Sequence, residues 1–136
     1  AITTSKNSSD GAIKKLVRKT YEMTEEGSLD GRELAHTLWA MAKLKDEVPD
    51  FADAVPSLFN LAPYATFDEE ALSNALWAAA TVGLDKDKDG IEALVITVVE
   101  RMSTDADKFS ELNLTNILWA AAKVGLDTKE IQPIVT

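Results

Sequence analysis

The residues best placed to do chemistry lie in one turn, Asp85-Lys86-Asp87-Lys88-Asp89-Gly90. Oxygen ligands at positions 1, 3 and 5 and a glycine at position 6 match the first half of an EF-hand calcium loop. The second half departs from it. Position 12, which needs a bidentate glutamate, is Ile96, and Glu92 stands at position 8, where an aliphatic residue is usual. We therefore read Asp85, Asp87 and Asp89 as a polar turn whose last aspartate caps the next helix, with calcium as the alternative. His36 is the only histidine. It occupies the place taken by Asn74 and Asn116 in two related segments, so we read it as a polar group that bonds the backbone of an adjacent helix. The competing role is a ligand to a metal or to a pigment's magnesium. Lys14, Lys15, Arg18 and Lys19 fall at i, i+4 spacing on one helix. They form a solvated face or, as the sharper candidate, a partner-binding basic face for phosphate, lipid headgroups or an acidic subunit. Cysteine is absent, which removes disulfides, thiolate metal sites and cysteine nucleophiles. With no Gly-rich phosphate loop and no His-Glu-x-x-His zinc motif either, the sequence points to a non-enzymatic chain that takes no cofactor.

These residues hang on a repeated phrase. It reads LAHTLWAMAKL from Leu34, LSNALWAAATVGL from Leu72 and LTNILWAAAKVGL from Leu114. The only three tryptophans, Trp39, Trp77 and Trp119, stand in its Leu-Trp-Ala triplets, at steps of 38 and then 42 residues. A period of about 20–50 residues is the signature of a solenoid. Apolar residues at helical spacing make each phrase a helix, and its Ala content lets helices approach closely. A helix apolar on most sides must be sandwiched between neighbours. We therefore expect Leu38, Trp39, Leu76, Trp77, Leu118 and Trp119 to be the structural repeat core. Asp30, Asp68 and Ser110, nine residues before the tryptophans, are start signals, and Asp30 with Glu33 reads as a capping box. Gly83 and Gly125 are stop signals. Lys45 replaces that glycine in the first copy, so its helix should end differently.

A second helix is expected before each phrase. Residues 11–26 put Ile13, Leu16, Val17 and Tyr21 on one face, making this helix a candidate N-terminal cap. Residues 50–62 carry Phe51, Val55, Leu58 and Phe59, with Pro56 expected in the first turn of a shorter helix, where a missing N–H costs nothing. Residues 90–103 carry Ile91, Leu94, Val95, Val98 and Met102. By propensity Val95–Val99 suits a strand, but the repeat register argues for a helix. The expected architecture is all-α: a short α-solenoid of about three helix-turn-helix repeats. Residues 1–10 form a flexible N-terminal segment. Residues 11–136 form a single domain with repeats at about 11–47, 48–85 and 86–126, and the start of a fourth unit at 127–136.

The chain has 136 residues, 46% hydrophobic, with a net charge of −9. Residues 1–28 carry +1 and the remainder −10. An acidic body repels phosphate backbones. No apolar run reaches the roughly 18 residues a membrane span needs, so membrane association would be peripheral and through partners. The opening stretch, rich in Ser and Thr, matches the scar of a removed organellar transit peptide as well as a chain start with no such history.

The phrase Leu-x-Asn-x-Leu-Trp-Ala-x-Ala-x-x-Gly resembles the octotricopeptide repeat. It occurs as Leu72-Ser73-Asn74-Ala75-Leu76-Trp77-Ala78-Ala79-Ala80-Thr81-Val82-Gly83 and recurs from Leu114 to Gly125. The first copy departs at His36 and Lys45. The resemblance covers residues 29–126. It implies paired helices stacked into a superhelix and an algal organelle, chloroplast before mitochondrion, where many such proteins bind RNA. Three repeats would touch only a few nucleotides at about one base per repeat. With the acidic body, this turns the expectation toward a scaffold or assembly subunit that binds protein subunits of a larger organellar complex, such as a photosynthetic one. Organellar RNA binding, in RNA maturation, stability or translation, is the alternative.

Overall fold

The computed structural model describes residues 2–85, 91–126 and 129, with side chains from Gly11 onward. The described residues are all-helical: α1 (Ile2–Glu26), α2 (Gly31–Lys43), α3 (Pro49–Leu61), α4 (Glu69–Thr81), α5 (Glu92–Thr104) and α6 (Glu111–Val124). Short 3₁₀ turns at Tyr64–Thr66 and Ala106–Lys108 lead into α4 and α6. The three Leu-Trp-Ala phrases are α2, α4 and α6, which lie side by side in a row with α4 in the middle. The second helices pack onto this row, α3 on α2 and α5 on α4, while α1 packs on α3.

The local signals act as chemistry requires. Asp30 accepts from the Glu33 N–H at 2.8 Å while Glu33 reaches back to the Asp30 N–H at 3.0 Å, a complete capping box. Asp68 and Ser110 cap α4 and α6 by accepting from the Ala71 and Asn113 N–H groups. Gly83 and Gly125 take φ of +81° and +94°. There the N–H groups of Leu84 and Leu126 fold back to the carbonyls of Ala79 and Ala121, satisfying orphan carbonyls at the helix ends. Lys45, with a Cβ, takes no positive φ, and α2 ends instead through the Val48 N–H on the Leu44 carbonyl.

Two elements depart from expectation. The first is α1, which begins at Ile2 and extends the helix expected from residue 11 back through the segment read as flexible. Once a helix is nucleated, each further residue adds one hydrogen bond, so Ser and Thr can be carried along. The second is Pro56, which lies inside α3; the proline in the first turn is Pro49. Pro56 removes the bond to the carbonyl four residues back, at a cost of about 3 kcal/mol. The burial of Phe51, Val55, Leu58 and Phe59 on both sides of it holds the helix together. Pro56→Ala is accordingly expected to stabilise the fold by about 2 kcal/mol, the helix gain exceeding the extra unfolded-state entropy. The denaturant midpoint would read it. By contrast Val95–Val99 lies within α5, as register rather than propensity indicated.

The core runs through the row and its second layer, with Leu38, Leu58, Phe59, Leu72, Leu76, Leu94 and Ile117 fully buried. Where α2 begins, Gly31 meets the α4 side closely. A Cβ there would come 2.9 Å from the Phe67 ring, 3.1 Å from Phe67 Cα and 3.2 Å from the Thr66 carbonyl oxygen. Ala normally gains about 1 kcal/mol over Gly in a helix, but two of these neighbours are backbone. Gly31→Ala should therefore destabilise, by about 1–3 kcal/mol, again measured as a midpoint shift. Nearby, Tyr64 donates to the Phe59 carbonyl and packs edge-on against Phe67. Burial pushes its phenol well above the usual range. The folded chain thus holds the proton more tightly than the unfolded chain. Its contribution is intact below about pH 10 and is lost as pH rises further. Tyr64→Phe should remove this alkaline loss of melting temperature.

Candidate functional site

The tryptophans align. The ring centroids of Trp39 and Trp77 are 5.8 Å apart and tilted by 39°; those of Trp77 and Trp119 are 6.3 Å apart and tilted by 31°. One residue after a leucine on a helix is turned by about 100°. The buried leucines Leu38 and Leu76 and the tryptophans that follow them therefore cannot share a direction. Trp39 and Trp77 are half-buried, and Trp119 is 44% exposed, beside Leu118 at 40%. This corrects the expectation that all six residues form the core. Leu38 and Leu76 do, Trp77 packs against it from the edge, and Leu118 and Trp119 are exposed. The physical reason is position in the row: among the described residues, α4 has a neighbour on each side and α6 has one.

Each tryptophan lies on a helix row with the residues three before and four after it. Those rows are His36-Trp39-Lys43, Asn74-Trp77-Thr81 and Asn116-Trp119-Lys123. Lys43 Nζ lies 4.6 Å from the Trp39 ring centroid and Lys123 Nζ 5.9 Å from that of Trp119, both within cation–π range. The two outer rings thus carry ammonium groups, and the middle helix has Thr81 at that place. Thr81 Oγ1 is buried with no hydrogen-bond partner. His36 is exposed, and none of the described hydrogen bonds reaches it, which corrects its reading as a bond to an adjacent helix. That cross-helix bond comes instead from Ser73, whose hydroxyl donates to the Asn113 carbonyl at 3.3 Å. The Leu-Trp-Ala triplet alone does not show the aromatic ladder. Its signal is the exposed Lys43 and Lys123 at +4 from the outer tryptophans, while Thr81 at that place in the middle helix is half-buried.

The basic group on α1 is divided. Lys14 and Arg18 line a groove of about 590 Å³ between α1 and α3, with Tyr21, Glu22, Asp50 and Asp53 among its walls. Lys15 and Lys19 are exposed, Lys19 pairing loosely with Glu22 at 4.0 Å. The groove therefore carries both signs of charge, not the uniformly basic face expected. A stronger ion pair is internal: Arg101 reaches Glu69 at 2.7 Å and the Ala65 carbonyl at 3.3 Å, joining α5 to the start of α4.

Of the calcium candidates, Asp87 and Asp89 lie outside the described residues. Asp85 lies within them, and its carboxylate lies 3.4 Å from where a Cβ at Gly125 would stand. Among the described residues no group of three His, Asp or Glu side chains is gathered to hold a metal ion, and no helix is long and apolar enough to cross a membrane. No protein-family model, curated protein or solved structure matches the chain.

Proposed function

We propose that the chain is a short α-solenoid that works as a non-enzymatic scaffold or assembly subunit, binding a protein partner within an organellar complex. The single observation that supports this most is the tryptophan ladder on the exposed side of α2, α4 and α6. Trp is enriched at the centres of protein interfaces, where its area is buried at little entropic cost. Here three rings are held by helices, so the surface is organised before a partner arrives. The repeat phrase and its resemblance to octotricopeptide repeats support the solenoid reading and a plastid as the compartment. A photosynthetic assembly is one such setting.

RNA binding is the second reading, and the two lysines over the outer rings favour it. Against it stand the net charge of −9 and the ladder geometry. Bases stack on open ring faces, and here each ring has a neighbouring indole within 6.3 Å, the outer two also an ammonium group over the ring. Titration of single-stranded RNA at two salt concentrations separates the readings. The scaffold reading expects no submicromolar binding. Tight binding with a strong salt slope would replace it by the RNA reading. For the partner itself, the intact chain should be recovered within a large assembly from plastid extract, and a folded Trp119→Ala variant should be missing from it.

A further inference from the structure

The interface that joins neighbouring helices of the row occurs twice, and among the described residues its two halves recur exposed on the outer faces of α6 and α2. On the side of α2 toward α4, Gly31, Ala35, Leu38 and Ala42 form an i, i+4, i+7, i+11 stripe and are buried. In the equivalent stripe of α4, Ser73, Leu76 and Ala80 are buried under α6, with the Ser73–Asn113 bond crossing the contact, while Glu69 is half-buried and paired with Arg101 of α5. In α6 the same stripe is Glu111, Thr115, Leu118 and Ala122, and all four are exposed. The reverse holds for the receiving stripe. Ala71, Ala75 and Ala78 of α4 are buried, as are Ile117, Ala120 and Val124 of α6. The equivalent residues of α2 are Glu33, Thr37, Ala40 and Leu44; Thr37 is half-buried and the other three are exposed, Leu44 by 46%.

We propose that a second copy of this chain stacks head to tail on the first, the α6 stripe of one copy docking on the α2 stripe of the next. The occupant follows from the template. The internal contacts α2–α4 and α4–α6 show what such a stripe accepts, a Leu-Trp-Ala helix of this chain in the same register. The second layer agrees. Beside the α2 stripe, Leu16 of α1 lies 53% exposed in an apolar groove of about 230 Å³ with Ala40 and Leu44. At the other end Ile96 of α5 lies exposed in a groove of about 210 Å³ with Val95 and Val99. Their neighbours are opposite in charge: Lys15 and Lys19 beside Leu16, Glu92 and Glu100 one turn either side of Ile96. The contact joins two different surfaces, so it does not close after two copies. It uses the ends of the row and does not rest on the partner-binding reading of the ladder.

Sedimentation of the full chain over a concentration series tests this. The mass should rise with concentration beyond that of a dimer. Ala40→Arg and Leu118→Arg change exposed residues and should stay folded by circular dichroism. Each should weaken association on the order of 100-fold, because the contact would bury an unpaired guanidinium. Mixed in equal amounts, the two variants should form a dimer and stop there, since each retains one intact stripe. A wild-type chain that stays monomeric throughout overturns the proposal. So does unchanged association of either variant, or a mixture of folded variants that fails to pair.

Discussion

Leu76→Ala is expected to cost about 2–5 kcal/mol, the range for emptying a fully buried leucine site. Leu118→Ala, the same change at the same place in the repeated phrase, should cost under about 1 kcal/mol when the chain is dilute and monomeric. The difference comes from the row. Leu76 is covered by α6 and is 0% exposed, whereas Leu118 occupies the open side of α6 and is 40% exposed. Urea unfolding monitored by far-ultraviolet circular dichroism would give both values. Equal costs would mean that α6 is covered in solution by something that protects Leu118 as α6 protects Leu76.

Trp77→Ala is expected to be the most damaging change to the ladder, at about 3 kcal/mol. It removes a ring that packs against the core and lies between two others at 5.8 and 6.3 Å. Trp119→Ala removes an end ring that is 44% exposed and should cost under about 1 kcal/mol. Stability and function are thereby separated within one motif. The middle tryptophan supports the fold, while the last one is exposed and open to the proposed partner. A Trp119→Ala variant with an unchanged melting temperature but no place in the assembly would fit the proposed scaffold role. Retention in the assembly would move the binding surface elsewhere, with the mixed-charge groove between α1 and α3 the next candidate.

The parts of the fold set by local chemistry were legible. Asp30, Asp68 and Ser110 cap because a side-chain oxygen three residues ahead of a free N–H can do little else. Gly83 and Gly125 stop their helices because positive φ is cheap only for glycine. What was not legible depends on neighbours. Leu76 and Leu118 sit in nearly identical phrases, and only their order in the row decides which is buried. Pro56 looked like a helix start because propensity is local, while the packing of Phe51, Val55 and Phe59 that overrides it is not. The exposed ladder was partly readable: Lys43 and Lys123, four residues after their tryptophans, mark a solvent-facing row. The split of the α1 basic group required knowing where α3 lies.

The alignment of the three tryptophans supports both the packing account and the proposed binding face, and exciton circular dichroism of the indoles tests it most directly. The wild-type chain should show a coupled indole couplet. Trp77→Phe should abolish it, since both close pairs contain Trp77, while Trp39→Phe and Trp119→Phe should each leave part of it. A couplet that survives Trp77→Phe intact, or a folded wild-type chain with none, would contradict the ladder.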